Sequence, residues 1–200
     1  IDVPKVLEVG VFEGKWSITF DFIEGKTLQQ LMDENPDKLA EYMEQMVDLH
    51  LNILSKHCTL LNKLKDKMSR QILEIDELSD ITRYDMRTKL DSMPKHTKLC
   101  HGDFNPTNIV VREDGSMCVL DWVHATQGNA SADIARTYLL FCLQDQKKAD
   151  MYMDIFCKKT GTAKKYVQTW LPIVAAAQLS KKRPEEVELL QKWANVCDYQ

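Results

Sequence analysis

An acid, an amide five residues later and a second acid thirteen residues beyond that constrain this chain more than any other feature. They stand in His101-Gly102-Asp103-Phe104-Asn105-Pro106-Thr107-Asn108-Ile109-Val110-Val111 and in Val119-Leu120-Asp121-Trp122. Short β-branched and apolar runs surround them at 97–100, 108–111 and 117–120, and Glu113-Asp114-Gly115 turns the chain between the last two. A hairpin sets the start of one strand beside the end of its partner. Asn108 and Asp121 are therefore expected to face each other across the hairpin mouth, with Asp103 on the loop above. The apolar-poor stretches 101–107 and 121–129 read as loops flanking this tiny sheet, the usual place for chemistry.

Two hard oxygen donors with few others nearby suit Mg²⁺, which keeps waters and completes its shell with phosphate oxygens. Asp103, a separate carboxylate, can then accept the proton of a substrate hydroxyl or orient it. Acid, amide and acid in this order and spacing are the parts a phosphoryl-transfer site uses. The bland readings are a solvated loop acid for Asp103 and strand-end turn chemistry for Asn108 and Asp121. The joint spacing favours chemistry.

Upstream, Val6–Phe12 and 16–22 read as strands joined at Glu13-Gly14. Thr27 with Gln30 is a capping box that opens a short helix. Asn35-Pro36 signals the next helix, with Asn as cap and apolar positions Leu39, Met43, Met46, Val47, Leu51 and Leu54 at helical spacing. His50 shares that face and reads as a core histidine with satisfied nitrogens. Residues 60–90 read as helical and charged, and Pro94 ends them. After Gly128 the text is helical to the end, broken at Thr160-Gly161 and Arg183-Pro184.

These residues carry a resemblance. HGDFNPTN and LDW resemble the catalytic loop and metal loop of the aminoglycoside phosphotransferase family, whose relatives include choline and homoserine kinases. GNASADIA at 128–135, VPKV at 3–6, FIEGKTL at 22–28 and WLPIVAAAQL at 170–179 extend the likeness over nearly the whole chain. It implies an α+β, protein-kinase-like fold. Residues 1–25 would be the end of an N-terminal nucleotide lobe and its hinge, with the rest of that lobe missing. Residues 26–200 would be the helical C-terminal catalytic and substrate lobe. The implied reaction moves the γ-phosphoryl group of ATP, with GTP the alternative nucleotide, to a hydroxyl of a small molecule. Asp103 would be catalytic, and Asn108 and Asp121 would hold Mg²⁺. His101 would shape the loop, Asp133 would brace it or cap its own helix, and the backbone at Asp21 and Ile23 would meet the adenine edge.

No Gly-rich loop precedes the hinge, and Lys5 and Lys15 stand outside a clamping-lysine context. The expectation is a piece of a kinase that does not turn over as it stands. A kinase-like binding module without activity is the competing reading. A protein kinase proper is disfavoured by Asp121-Trp122 and by the lack of an Ala-Pro-Glu segment. A net charge of -4 with intermixed signs argues against nucleic acid. Six cysteines without metal-ligand spacing, no long apolar span and no leader point to a cytoplasmic protein. The acids Glu74, Asp76, Glu77 and Asp80 read first as a solvated face; the alternative is a pocket for a cationic substrate.

Overall fold

A computed structural model describes residues 1–76 and 78–194 of the chain. Strands β1 (Val6–Phe12) and β2 (Lys15–Phe20) form an antiparallel hairpin. Its turn residues Glu13 and Gly14 both take positive φ, as a tight two-residue hairpin requires. Both faces of this ribbon are open: Trp16 is 82% exposed, and Val9, Val11, Phe12 and Ile18 are exposed as well. The second strand ends at Phe20, two residues short of the sequence expectation.

Strand β3 (Lys26–Thr27) leads directly into helix α1 (Leu28–Glu34). The capping box is present: Gln30 N–H donates to Thr27 Oγ1 at 3.2 Å, and Thr27 N–H to Gln30 Oε1 at 2.8 Å. Asn35-Pro36 opens only a 3-10 turn in which the Asn35 side chain makes no cap. Helix α2 (Leu39–Leu54) starts after it and buries Met43, Met46, Val47, His50 and Ile53 along one stripe.

The charged stretch that reads as one helix from 60 is two. Helices α3 (Leu64–Leu73) and α4 (Asp80–Ser92) are separated by a segment in which Ile75 and Leu78 turn into the core. Strands β4 (Lys98–Cys100), β5 (Ile109–Val111), β6 (Met117–Val119) and β7 (Thr126–Gly128) follow. They make two sheets instead of one. The β5–β6 hairpin takes β3 on its edge, whereas β4 pairs with β7 inside the stretch that reads as loop. Three-residue strands are too short to show an alternating pattern, so pairing alone identifies them.

Helices α5 (Ala130–Cys142), α6 (Gln146–Thr160), α7 (Lys164–Gln168), α8 (Leu171–Leu179) and α9 (Pro184–Ala194) complete the described chain. Helix α8 is apolar except for Gln178 and buried from Pro172 to Leu179; its alanines let α3, α4, α5 and α9 close around it. Among the described residues no helix is long and apolar enough to cross a membrane. Cys58, Cys100, Cys118, Cys142 and Cys157 are free thiols. Cys197 and Glu77 lie outside the described residues.

Candidate functional site

The loop between β4 and β5 is held from below by helix α5. Asp133, in the first turn of that helix, is fully enclosed. Its carboxylate accepts the His101 N–H at 2.7 Å and the Gly102 N–H at 2.8 Å. His50 Nε2 stands 3.0 Å away and donates, while His50 Nδ1 accepts from the Tyr152 hydroxyl at 2.6 Å. Burial pushes the Asp133 carboxyl up, but the hydrogen bonds from His50 and the Gly102 N–H help to outweigh it and hold it below the ordinary 3.8. Of the two sequence readings of Asp133, bracing matches these contacts; the residue is also an acid in a helix first turn.

His101 is buried with both ring nitrogens used. Nε2–H donates to the Leu120 carbonyl at 2.9 Å, and Nδ1 accepts the Asp103 N–H at 3.2 Å. Burial lowers its pKa below 6.5. A neutral imidazole is what this pair of contacts needs, since Nδ1 must stay an acceptor. His101 thus ties the Asp103 loop to the end of β6. Gly102 between them has φ +81°, and a Cβ there would stand 2.5 Å from the His124 carbonyl oxygen. Only glycine fits both demands.

Beyond Gly102 the loop is closed by its own side chains. Asn105 and Asn108 each donate from Nδ2 to the Asp103 carbonyl at 2.9 Å. Asn105 caps the 3-10 turn Pro106–Asn108. Phe104 is buried against the His50 ring, and Thr137 of α5 donates to its carbonyl at 2.7 Å. The Asp103 carboxylate stays partly open. Arg136 Nη2 lies 3.3 Å from its Oδ1, Lys181 Nζ 3.9 Å from the same oxygen, and Asn108 Nδ2 3.4 Å from Oδ2.

Asn108 and Asp121 stand on opposite sides of the mouth of the β5–β6 hairpin. Leu120 N–H donates to the Asn108 carbonyl at 2.8 Å, which sets Asp121 one residue past that pairing. Asp121 takes a left-handed backbone, φ 56° and ψ 64°, a conformation that few residues other than glycine, asparagine and aspartate adopt. Among the described residues its exposed carboxylate has no hydrogen-bond or ion-pair partner. No group of three or more His, Cys, Asp or Glu side chains suited to a metal occurs among them either. One carboxylate and one amide oxygen are nonetheless the sparse hard donor set that Mg²⁺ shares with phosphates.

Asp21 and Ile23 lie on the segment joining β2 to β3. The Asp21 N–H donates to the Lys5 carbonyl at 3.0 Å, and its carboxylate accepts the Lys5 N–H at 2.5 Å. The Asp21 N–H, one of the backbone groups expected at the adenine edge, is thus taken within the protein. At the start of the chain, the Asp2 carbonyl accepts the Val119 N–H at 3.0 Å and its side chain pairs with Arg112, so these first residues are fastened to the β5–β6 hairpin.

Sequence reading missed Arg136, Lys67 and Lys181. Arg136 follows Asp133 by one helical turn, so it shares its face, and that spacing was the available signal. Lys67 and Lys181 sit in lysine-rich helical text that offers none. Glu74, Asp76 and Asp80 are exposed, Asp76 and Asp80 pairing with Lys182 and Arg83.

Residues 1–155 match the model of the APH phosphotransferase enzyme family. No curated protein matches the chain. Among solved structures, a thermostable mutant of aminoglycoside phosphotransferase APH(4)-Ia, in ternary complex with ADP and hygromycin B, superposes with TM-score 0.72 at 14% identity, covering 98% of this chain and 76% of that one. Choline kinase LicA from Streptococcus pneumoniae gives 0.64 at 12%, over 96% and 73%. A Plasmodium vivax ethanolamine kinase gives 0.56 at 12%, over 93% and 66%. At these identities the likeness is one of fold: α+β and protein-kinase-like, as the sequence leads one to expect.

Proposed function

Because the chain belongs to the APH phosphotransferase enzyme family, we propose that it works as a kinase of small molecules, moving the γ-phosphoryl group of ATP to an acceptor hydroxyl. The observation that carries this is the unpartnered, left-handed Asp121 set across the hairpin mouth from Asn108, which itself holds the Asp103 loop. A binding module would have no chemical need for Asp103, Asn108 and Asp121 together at this spacing.

In this reading Asn108 and Asp121 hold Mg²⁺, which when bound draws negative charge from the phosphate oxygens. Asp103 accepts the acceptor's proton. The acceptor oxygen forms a bond to the γ-phosphorus as the bond to the β–γ bridging oxygen breaks, and ADP leaves with that electron pair. Arg136 and Asn108 fix the direction of the Asp103 carboxylate, and Asp133 with His101 fixes its backbone. Positioning of this kind supplies most of what phosphoryl transfer asks of a protein.

Residues 1–25 then act as the end of a nucleotide lobe with its hinge, and residues 26–200 as the catalytic and substrate lobe. The Asp21 carbonyl and the Ile23 backbone would take the adenine edge. Free thiols and ATP dependence fit a cytoplasmic setting.

The test is a screen of hydroxylated small molecules for ADP formation by the full-length protein, beside its Asp103→Asn and Asp121→Ala variants. Acceptor-dependent ADP release confined to the unaltered protein supports the assignment. Failure to bind Mg-ATP, with no ADP from any acceptor, removes it.

A further inference from the structure

Three cations converge on a cleft, open to solvent, that lies beside Gly102 between α3, α5 and α8. Lys67 comes from α3, Arg136 from α5 and Lys181 from just past the end of α8. Neither Asn108 nor Asp121 lines this cleft. Nor do Glu74, Asp76 or Asp80, so it is not the acidic pocket that a cationic substrate would need.

The carboxylates within reach do not balance these charges. Asp103 meets Arg136 at 3.3 Å and Lys181 only at 3.9 Å. Asp133 is taken by two backbone N–H groups and His50. Glu186 is taken by Arg183 and Gln178. Among the described residues Lys67 forms no ion pair; its Nζ rests on the His124 carbonyl at 3.1 Å and on the His124 ring at 3.3 Å. Burial and then the neighbouring Arg136 lower the pKa of both half-buried lysines, as like charges brought together do. Such a cluster is costly as it stands, and an anion completes it.

We propose that this cleft binds an anionic group of the acceptor, a carboxylate or a phosphate, so that the substrate is a small hydroxylated acid. The proposal rests on the phosphotransferase reading for the acceptor's hydroxyl and on the cleft for its charge. The hydroxyl reaches Asp103 while the anion lies with Lys67 and Lys181. Arg136 is already committed to Asp103, Gln178 and the Gly102 carbonyl, and serves both ends.

Four three-carbon probes differing mainly in charge test this: glycerate, glycerol 3-phosphate, glycerol and 3-amino-1,2-propanediol. Each is titrated calorimetrically into the full-length protein with Mg-ADP present. One of the two acids should bind at least about tenfold tighter than glycerol, with the amine weakest and the acid's affinity falling as salt rises. Which acid wins tells a carboxylate from a phosphate. Lys67→Met with Lys181→Met should lose about tenfold or more for that acid. Removing two mutually repelling charges should leave the melting temperature equal or higher, and Lys67→Arg should keep acid binding.

Acids no tighter than glycerol, a double variant that binds acid as well as the parent, or displacement of acid by Mg-AMP-PNP would each overturn the proposal. Acid binding without ADP formation from any acceptor keeps the anion cleft and removes the phosphotransferase reading. Faster ADP formation with glycerol or the amine keeps that reading and overturns the cleft.

Discussion

Asp133 and His101 are joined through the main chain: the Asp133 Oδ2 accepts the His101 N–H at 2.7 Å, across thirty-two residues of sequence. The same carboxylate takes the Gly102 N–H and His50, so one enclosed acid fixes the approach to Asp103. Removing one member of a buried charged network typically costs about 3–5 kcal/mol. Asp133→Ala is expected to lose stability on that scale, read as a lowered urea midpoint at unchanged m-value. A midpoint within error of the parent would show that the loop is held by other contacts.

Two steps of acid destabilisation are expected. Burial keeps the His101 pKa below 6.5, so the unfolded chain binds the proton first. Its contribution is complete above pH 6.5 and fades as pH falls through that value toward the folded one. Asp133, also below its ordinary 3.8 in the fold, contributes fully above that value and is lost as pH falls further. The charged and titratable groups facing His101 are Asp133, Asp103 and His50. Urea midpoints taken across mildly acidic pH should drop in the parent and flatten in His101→Gln. An equal slope in both would assign the first step elsewhere, with His124, also lowered by burial and by Lys67, the next group to examine.

The Asp103, Asn108 and Asp121 motif stood out in the sequence more than the architecture around it did. Those three residues could be picked out as candidates because a phosphoryl-transfer site needs particular atoms at particular separations, and few spacings supply them. The Thr27–Gln30 box was legible for the same reason: two reciprocal bonds demand two residue types three apart. His50 read as a satisfied core histidine, and both of its nitrogens are used. The β4–β7 pair was invisible, because its partners are far apart in sequence and each is only three residues long. The cleft of Lys67, Arg136 and Lys181 was invisible for a related reason. Each cation is ordinary on its own helix, and only the packing of α3, α5 and α8 makes them neighbours.

Asp103→Asn in the full-length protein should fold as the parent does and bind Mg-ATP, yet lose about 10²- to 10⁴-fold in turnover, the usual contribution of a general base. The loop keeps its shape because the Asp103 carbonyl and N–H, not its carboxylate, make most of the loop contacts. Near-parental kcat would remove the base role. A raised KM at unchanged kcat would recast Asp103 as a partner of substrate.

Asp121→Ala should abolish Mg²⁺-dependent nucleotide binding, since it deletes the charged donor. Asn108→Ala removes a neutral amide and should weaken binding less. It should cost stability besides, because Asn108 Nδ2 supports the Asp103 carbonyl. Titrating Mg-ATP against both variants, with melting curves alongside, separates the two effects. Equal Mg-ATP affinity in Asp121→Ala and the parent would end the metal assignment.

In the proposed metal role, the left-handed backbone at Asp121 sets fold and chemistry at odds. An L-residue there is strained by about 1 kcal/mol relative to glycine. A laboratory selection that rewarded heat resistance alone would drift toward glycine at this position and collect sturdy, silent clones. One that screened for phosphoryl transfer at the same temperature would keep the acid and gather its compensations elsewhere. Sequencing the two pools at codon 121 would measure how much ruggedness the proposed metal role asks this molecule to give up.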